Sequence, residues 1–393
     1  MIKNINDISF TFLQEFDLLC FSHLRWGFVF QRPNHLLTRF SKHQRVFFIE
    51  EPIFHKEAEK LQIESYNQNL FIVTPYLTEG LKEEEVIKKQ QQFIKQLITQ
   101  MNIDRYISWY YTPMALPFTN QLQPEIVVYD CMDELSAFKF APKDIKLREQ
   151  LLFKKADVVF TGGQSIYEFK KEQHPNIHSF PSSIDKQHFG KAKTIRKDPA
   201  EQQQIPHPRF GFFGVLDERF DVDLIREVAK QRPDWHFVLI GPVVKIDPAL
   251  LPKAKNIHYL GGKKYEELPH YIAGWDITMI PFAMNESTRF ISPTKTPEYL
   301  AAGKPVISTP IKDVVSPYGE NKLVHIVNNA DEFIAAAETE LKKKRKTAWR
   351  KQVDEFLAFN SWDRTWSQMA RHIEEIYVQN ELAKTKRKGK AYV

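Results

Sequence analysis

The chain has few cysteines, few glycines and no long hydrophobic run, and each shortage excludes a class of protein. Its two cysteines, Cys20 and Cys131, lie in or beside apolar strand-like runs, so neither a disulfide scaffold nor a cysteine metal cage is expected. Fourteen glycines in 393 residues exclude glycine-rich and collagen-like repeats. No apolar stretch approaches the roughly 18 residues of a membrane span, and the first seven residues are too polar for a signal peptide. We therefore expect a cytoplasmic protein.

The length and the apolar content predict two domains. At about 150 residues per domain, 393 residues suffice for two domains with appendages, and a hydrophobic content of 42% supplies two cores. Short apolar runs alternate with longer helical patterns along the whole chain, which predicts parallel sheets covered by helices. The expected fold is an α/β chain with two Rossmann-like domains in tandem.

The predicted boundaries follow changes in composition. Residues 1–190 form the predicted first domain, 191–207 a charged, proline-containing linker, and 208–358 the second domain. Residues 359–393 predict a long helix with an apolar stripe, followed by a basic tail. The predicted strands of the first domain are Asp17–His23, Arg45–Glu50, Leu70–Val73, Tyr106–Tyr110, Ile126–Asp130, Val158–Thr161 and His178–Phe180. Those of the second are Phe210–Phe213, Trp235–Ile240, Ile257–Leu260, Ile277–Pro281 and Pro305–Ser308.

Positive charge is concentrated near the end of the chain. The basic residues there are Lys342, Lys343, Lys344, Arg345, Lys346, Arg350, Lys351, Lys384, Lys386, Arg387, Lys388 and Lys390. Because these twelve charges exceed the net charge of +6, the rest of the chain is net acidic. Such a patch beside an amphipathic helix favours contact with an anionic membrane surface, and a solvated helix face with a frayed tail is the alternative. Nucleic-acid binding is not expected, because no recognition motif accompanies the charge.

The segment from Ile291 to Ser308 carries the most specific pattern. A turn at Ser292-Pro293 precedes a predicted helix in which Lys295 and Glu298 stand three residues apart. A lysine at a helix N-terminus attracts phosphate, and a carboxylate one turn later can accept both hydroxyls of a ribose. The pattern favours a clamp for a nucleoside diphosphate, whereas an ordinary surface pair is the alternative for these two residues taken alone.

This segment resembles the final-domain helix of the GT-B glycosyltransferases, in particular the large retaining group that builds bacterial polysaccharides and glycolipids. The resemblance implies that Glu298 binds the ribose of a sugar nucleotide and that Pro293, Thr294 and Lys295 belong to the same donor site. Many relatives carry a second glutamate eight residues before the first, where this chain has Phe290. Backbone groups around Pro293 are then expected to replace it.

Other segments are similar to the same group, in the same order along the chain. Residues 156–161 followed by 180–185 resemble the end of the first domain. The pattern Gly211-Phe-Phe-Gly214 before Asp217, Glu218 and Arg219 resembles the loop that opens the second domain. The resemblance implies that Gly214 and Arg219 hold the pyrophosphate, and a solvent-exposed loop residue is the alternative for Arg219.

The loop from Gly261 to Tyr265 is where relatives hold the nucleobase. Gly262 and Tyr265 are therefore candidate donor residues, and a ring that staples the following helix is the alternative for Tyr265. Nothing in this loop distinguishes uracil from guanine. UDP is the preferred nucleotide because it is the common donor of the group.

The first domain carries the candidate acceptor site. The motif from Phe21 to His35 resembles a subgroup of polysaccharide glycosyltransferases that includes teichuronic acid biosynthesis proteins, and it follows the first strand, at the edge where α/β sheets bind ligands. Four residues of this motif are the acceptor candidates: Trp26, Gly27, Arg32 and His35. A histidine on a helix face is the alternative for His35.

A group of carboxylates follows the very apolar strand that ends at Asp130. Burying such groups is costly unless they are solvated or functional. Relatives place a histidine near this position that contacts the donor sugar, and the resemblance implies that Asp130 or Asp133 takes this role. Helix capping is the alternative for Asp133.

The prediction is a GT-B enzyme, a hexosyltransferase that works without a metal or other cofactor. Its partners are a nucleoside diphosphate sugar and a saccharide or lipid-linked acceptor. Transfer with retention is implied by the resemblance, and the candidate catalytic residues are Asp130, Asp133, Arg219 and Lys295. The Asp221-Val-Asp223 sequence is interpreted as a helix cap rather than a metal site. A sugar-nucleotide epimerase of the same fold and a non-catalytic binding protein remain the alternatives.

Overall fold

The computed structural model describes residues 10–343 and 347–390, without the side chains of 386–390. Two α/β domains, each built on its own sheet, face one another across a cleft. A long last helix returns from the second domain to the first. The predicted fold class, including this returning helix, is confirmed.

The strand order of the first sheet reverses direction beside the cleft. Its strands are β1 (Asp17–Phe21), β2 (Val46–Ile49), β3 (Ile53–His55), β4 (Lys60–Ser65), β5 (Leu70–Thr78), β6 (Tyr106–Tyr110), β7 (Ile126–Cys131), β8 (Val158–Thr161) and β9 (Ile177–Ser179). The spatial order is β3-β5-β2-β1-β6-β7-β8-β9, with β4 pairing antiparallel to β5. The chain moves outward from β1 in one direction and restarts at β6 in the other. Ligands of such sheets bind at the carboxyl ends of the strands at this reversal.

The second sheet repeats this logic with parallel strands. They are β10 (Arg209–Phe213), β11 (His236–Ile240), β12 (Ile257–Tyr259), β13 (Ile277–Ile280), β14 (Val306–Ser308) and β15 (His325–Ile326). Their order is β12-β11-β10-β13-β14-β15, so the reversal lies between β10 and β13. The loops that follow these strands form the second wall of the cleft.

Helices cover both sheets. They are α1 (Arg32–Phe40), α2 (Glu83–Gln100), α3 (Leu116–Thr119), α4 (Ile145–Lys155), α5 (Gln164–Lys170), α6 (Lys186–Gly190), α7 (Ala200–Gln203), α8 (Val222–Gln231), α9 (Leu268–Ala273), α10 (Lys295–Ala301), α11 (Lys312–Val314), α12 (Ala330–Lys342), α13 (Thr347–Phe356) and α14 (Trp362–Lys390). Asp221 accepts a hydrogen bond from the backbone N–H of Leu224 at the start of α8, which confirms the predicted cap.

The apolar stripe of α14 completes the core of the first domain. Trp362, Trp366, Met369 and Ile373 are buried in the same cluster as residues of α1 and β1. The Trp366 ring packs edge-on against Phe10, with 4.9 Å between ring centroids. The stripe recognised in the sequence is thus covered by the other domain.

The segment predicted as a linker instead packs on the second domain. Ala192 and Ile205 are buried in that domain's core, and the buried side chain of Gln202 donates a hydrogen bond to the carbonyl of Tyr271 at 3.0 Å. The apolar cores place the crossing between domains earlier, at 181–183, with the return at 358–361. Isolated apolar residues among charged ones left no periodic signal for this packing. The short strands β3, β4 and β15 were missed for the same reason.

The basic C-terminal segments are only partly described. Lys344, Arg345, Lys346 and the side chains of Lys386, Arg387, Lys388 and Lys390 lie outside the described residues. Four of the other basic residues form ion pairs within the chain: Lys384 with Glu125 at 3.0 Å, Lys343 with Glu340, Lys342 with Glu338 at 3.6 Å and Lys351 with Glu355 at 3.8 Å. Within residues 10–343 and 347–390, no helix combines the length and the apolar character that crossing a membrane requires.

Candidate functional site

The candidate site is the cleft between the two domains, a cavity of about 930 Å³. It is lined by loops that follow the carboxyl ends of β1, β7, β10 and β11 and by the start of α10. Parallel strands bring these loops to one edge of each sheet, which is where α/β folds place ligands. The cavity size lies in the range of small-molecule sites.

Lys295 and Glu298 lie on the second-domain wall of the cleft. Glu298 is 5% exposed, and its Oε2 atom has no hydrogen-bond partner within the described part of the chain. Burial raises the pKa of the Glu298 carboxyl, although the nearby Lys295 opposes this shift. Burial, followed by the charge of Arg219, lowers the pKa of Lys295. A buried acceptor without a donor, beside a buried cation, is suited to a ligand that brings both hydroxyls and negative charge.

Two glycines let the loops that follow β10 and β11 pack closely beside Lys295. Gly214 has φ +136°, and a Cβ atom there would meet Cε of Lys295 at 2.4 Å. Gly241 has φ +143°, and its Cβ would meet the carbonyl oxygen of Gly214 at 1.8 Å. Both positions therefore require glycine for conformation as well as for space. Gly214, a predicted donor residue, therefore lies directly beside Lys295.

Arg219 is held in place by Asp217. Its Nε and Nη2 atoms donate to the two carboxylate oxygens of Asp217 at 2.9 and 2.6 Å. Its guanidinium also lies 5.5 Å from the ring of Phe138, which belongs to the first domain. In the sequence, Asp217 was recognised only as part of the loop. The Asp-x-Arg spacing is the signal that could have identified it as the residue that orients Arg219.

The remaining donor candidates lie along the same wall. Gly262 and Tyr265 line the cleft from the loop before α9, and Pro293 and Thr294 line it from the turn before α10. Phe290 does not line the cleft, because its ring stacks on Phe169 of the first domain, with the centroids 4.7 Å apart. The position of the glutamate found in relatives is therefore occupied here by an interdomain apolar contact.

On the first-domain wall, Asp133 lines the cleft and Asp130 does not. Burial raises the pKa of Asp133 to about 6, against the opposing effects of Arg219 and Arg32. Asp133 does not cap a helix, because the capping carboxylate of this turn is Glu134. Asp133 is thus the candidate whose position allows contact with a ligand.

Asp130 and Arg32 form a buried ion pair instead of a binding surface. Nε of Arg32 donates to both oxygens of Asp130 at 3.1 and 3.0 Å, and Nη2 donates at 2.9 Å. Nη1 of Arg32 donates to the carbonyl of Phe180 at 2.7 Å. Arg32 borders the cleft, but these bonds use its guanidinium to connect α1, β7 and the segment that crosses between domains. The predicted sugar contact of Asp130 is not compatible with this full burial.

His35 lies beneath an aromatic cluster that joins the domains. Its ring stacks on Trp362, with 4.5 Å between centroids, and burial lowers its pKa well below the usual value. Above it, the ring of Tyr265 stacks between Phe30 of the first domain at 4.2 Å and His188 at 4.1 Å. His35 therefore does not reach the cleft. Phe30 was not predicted as a site residue. The signal that could have identified it is a large apolar ring in a loop, outside any predicted strand or helix.

Of the other acceptor candidates, Trp26 and Gly27 line the cleft. The Trp26 backbone N–H donates to Oε1 of Glu50 at 2.8 Å, which fixes the loop after β1. Among the described residues, no group of three or more His, Cys, Asp or Glu side chains is placed to hold a metal ion.

Comparison with known proteins finds a family model that matches the second domain. Residues 207–343 match the family model described as glycosyl transferases group 1. The chain is also 24% identical over 295 residues to TuaH of Bacillus subtilis, which is named as a teichuronic acid biosynthesis glycosyltransferase. That alignment covers 69% of this chain and 72% of TuaH.

Solved structures share the whole two-domain arrangement. A trehalose-6-phosphate structure from E. coli, bound with UDP-2-fluoro glucose, superposes with a TM-score of 0.67 at 10% identity, covering 92% of this chain and 99% of that one. HepE from Anabaena in complex with UDP gives a TM-score of 0.64 at 12% identity, covering 92% and 100%. At these identities the similarity shows the fold.

Proposed function

We propose that this chain, whose second domain matches the group 1 glycosyl transferases and whose fold is GT-B, transfers a hexose from a UDP-sugar to a saccharide or lipid-linked saccharide acceptor. The observation that carries the proposal is the buried Glu298 carboxylate, whose Oε2 lacks a donor among the described residues. The vicinal hydroxyls of a ribose supply such donors. UDP is supported by two structures of the same fold, which were solved with UDP and with a UDP-sugar.

The positive charge beside Glu298 suits a diphosphate. Lys295 is buried next to Arg219, and burial, followed by the charge of Arg219, lowers the pKa of Lys295. Burial also acts to lower the pKa of Arg219, but the hydrogen bond and charge of Asp217 raise it. Departure of the sugar builds negative charge on the diphosphate, and fixed cations in a partly desolvated cleft stabilise that charge. The proposal requires no metal ion, since these two side chains provide the positive charge.

The first-domain wall receives the sugar and the acceptor. Asp133 faces the second-domain cations across the cleft and is the carboxylate placed to accept a hydrogen bond from a sugar hydroxyl. The loop that carries Trp26 and Gly27 provides the acceptor side. Retention of configuration, a role in cell-surface polysaccharide synthesis and action at the inner face of the membrane complete the proposal. The similarity to TuaH supports the polysaccharide role.

Nucleotide binding provides the first test. We expect UDP to raise the melting temperature of the full chain more than GDP, ADP or dTDP. A ligand specific to the folded state stabilises it by about 2.7 kcal/mol at a hundredfold excess over its Kd. Glu298→Ala should remove most of the shift with UDP, and Glu266→Ala, which removes an exposed carboxylate on the same rim, should not. The absence of a shift with every nucleotide would contradict the donor site.

Turnover provides the second test. UDP-hexoses are incubated with the chain, and the products are separated by chromatography. Release of UDP together with free or transferred sugar supports transfer, and an axial or equatorial anomeric proton in the NMR spectrum of the product decides retention. Formation of an epimeric UDP-sugar without UDP release would overturn the transferase proposal in favour of an epimerase.

A further inference from the structure

A second cavity, of about 750 Å³, lies behind the hinge between the domains. We call it the hinge cavity. It is bounded by the two segments that cross between domains, 181–183 and 359–361, by the first turns of α14 and by 313–318 of the second domain. It shares only Ser182 and Ser292 with the lining of the cleft.

One wall of the hinge cavity is a basic face of α14. Arg364, Gln368 and Arg371 recur at the spacing that places side chains on one face of a helix, and all three line the cavity. Within the described residues, neither arginine has an ion-pair or hydrogen-bond partner for its guanidinium; that of Arg364 lies over the Phe359 ring at 5.4 Å. Guanidinium groups bind phosphate and carboxylate groups with paired hydrogen bonds. Two of them left unpaired on one wall favour an anionic ligand.

Two other lining residues, Asp313 and Ser179, offer acceptors for hydroxyl groups. Asp313 is 7% exposed, and its Oδ1 accepts a hydrogen bond from the backbone N–H of Ser165 at 3.0 Å. Its Oδ2 and the buried Oγ of Ser179 have no hydrogen-bond partner among the described residues. Buried polar atoms without partners are costly unless a ligand or water satisfies them. A ligand that carries hydroxyls as well as negative charge would supply donors to these two atoms.

Other charges around the cavity do not neutralise its basic wall. The Glu375 carboxylate lies 3.3 Å from Nδ1 of His372 on the same helix. The His372 ring in turn stacks on His178, with 3.7 Å between centroids. This leaves the Arg364 and Arg371 guanidinium groups for a ligand, while Asp313 lines the same cavity.

We propose that the hinge cavity binds a saccharide that carries one anionic group, a phosphate or a carboxylate. Arg364 and Arg371 hold the anionic group, and Asp313 and Ser179 receive the sugar hydroxyls. The cavity volume suits a monosaccharide or another small ligand of that size class, since small-molecule sites occupy about 300–1,000 Å³. A ligand here contacts both crossing segments and therefore both domains. The site does not depend on transfer activity in the cleft.

The test uses glucose 6-phosphate, glucuronate, inorganic phosphate and glucose as probes in calorimetric titrations of the full chain. We expect glucose 6-phosphate or glucuronate to bind at least tenfold more tightly than inorganic phosphate or glucose, and the better of the two identifies the anionic group. Arg371→Gln, which breaks no ion pair among the described residues, should weaken that binding at least tenfold. Arg196→Gln, which removes an exposed arginine elsewhere, serves as the charge-matched control and should leave it unchanged.

Titrations in the Glu298→Ala background separate this site from the cleft. Binding of the anionic sugar that persists in Glu298→Ala and is not displaced by UDP supports the hinge cavity, whether or not UDP itself binds the wild type. Displacement by UDP would place the sugar in the cleft and overturn the proposal. Failure of both anionic sugars to bind, or equal binding to the wild type and to Arg371→Gln, would also overturn it.

Discussion

Behind the first-domain wall of the cleft, buried charged side chains form ion pairs with one another, whereas Lys295 and Glu298 on the second-domain wall form no ion pair among the described residues. Arg32 and Asp130 satisfy each other in a buried ion pair, and Lys170 is bonded to Glu134 at 2.7 Å. In contrast, Glu298 has a buried oxygen without a donor among the described residues, and the Lys295 ammonium faces two aromatic rings at 5.5 Å. The first pairs hold segments of the fold together, whereas Lys295 and Glu298 remain able to bind a ligand.

The largest expected effect follows from breaking the pair on the first wall. Arg32→Met leaves Asp130 buried without a partner, which should cost about 3–5 kcal/mol of stability. The melting temperature is expected to fall strongly, while the folded protein keeps its affinity for UDP. The double variant Arg32→Met, Asp130→Leu should recover much of the loss. If Arg32→Met folds normally but loses activity with acceptor, Arg32 is a ligand contact, as the sequence predicted, and the comparison between the walls fails.

The next effect concerns the unmatched carboxylate of the second wall. Glu298→Gln should weaken UDP binding by about 10- to 100-fold, because a hydrogen bond to a charged group contributes about 1.5–3 kcal/mol. The free energy of unfolding should change by no more than about 1 kcal/mol, since the amide oxygen of Gln can still accept the hydrogen bond of the Thr294 side chain. Titration calorimetry and thermal melts measure the two quantities separately. Glu266→Gln is the control, and a loss of stability without a loss of affinity would assign Glu298 a structural role.

A smaller effect should distinguish Asp133 from the paired carboxylates beside it. Its pKa in the folded chain is about 6, above the ordinary value of 3.8, so the folded state holds this proton more tightly than the unfolded state does. Stability from this group is present below about pH 4 and is lost as the pH rises through 6. Asp133→Asn removes that loss, at most about 3 kcal/mol for a shift of about two pKa units. The variant should therefore melt above the wild type at pH 7.5 and close to it at pH 3.5; an equal difference at both values would contradict the shift.

Sequence reasoning succeeded where local chemistry leaves a local pattern. Lys295 and Glu298 stand one helical turn apart, and the glycines of the second wall follow strands with clear apolar runs, so their placement in one cleft was predictable. The pairing of Arg32 with Asp130 joins residues 98 positions apart, and nothing in either neighbourhood indicates the other. The same holds for the packing of 191–207 on the second domain, which depends on a surface formed elsewhere in the chain.

The interdomain aromatic cluster could not be predicted either, because its rings come from loops of different domains. Tyr265 had two interpretations in the sequence, contact with the base or stapling of the next helix. The structure adds a third contact, since its ring stacks on Phe30 from the opposite domain. A contact between two loops of different domains leaves no periodicity in either one.

The smallest predicted effect tests whether the two walls are independent. Phe30→Ala removes the stack on Tyr265, and a stacked aromatic pair contributes about 0.5–1.5 kcal/mol beyond its burial. If UDP binds the closed arrangement, its Kd should rise about 2- to 10-fold although Phe30 belongs to the first domain. Phe28→Ala, an exposed ring in the same loop, is the matched control and should leave the Kd unchanged. An unchanged Kd in Phe30→Ala would mean that the second wall binds the nucleotide without help from the first. A rise would show that the contact between the two domains contributes to donor binding. The two walls would then differ in how their charged side chains are paired, but their aromatic side chains would act together.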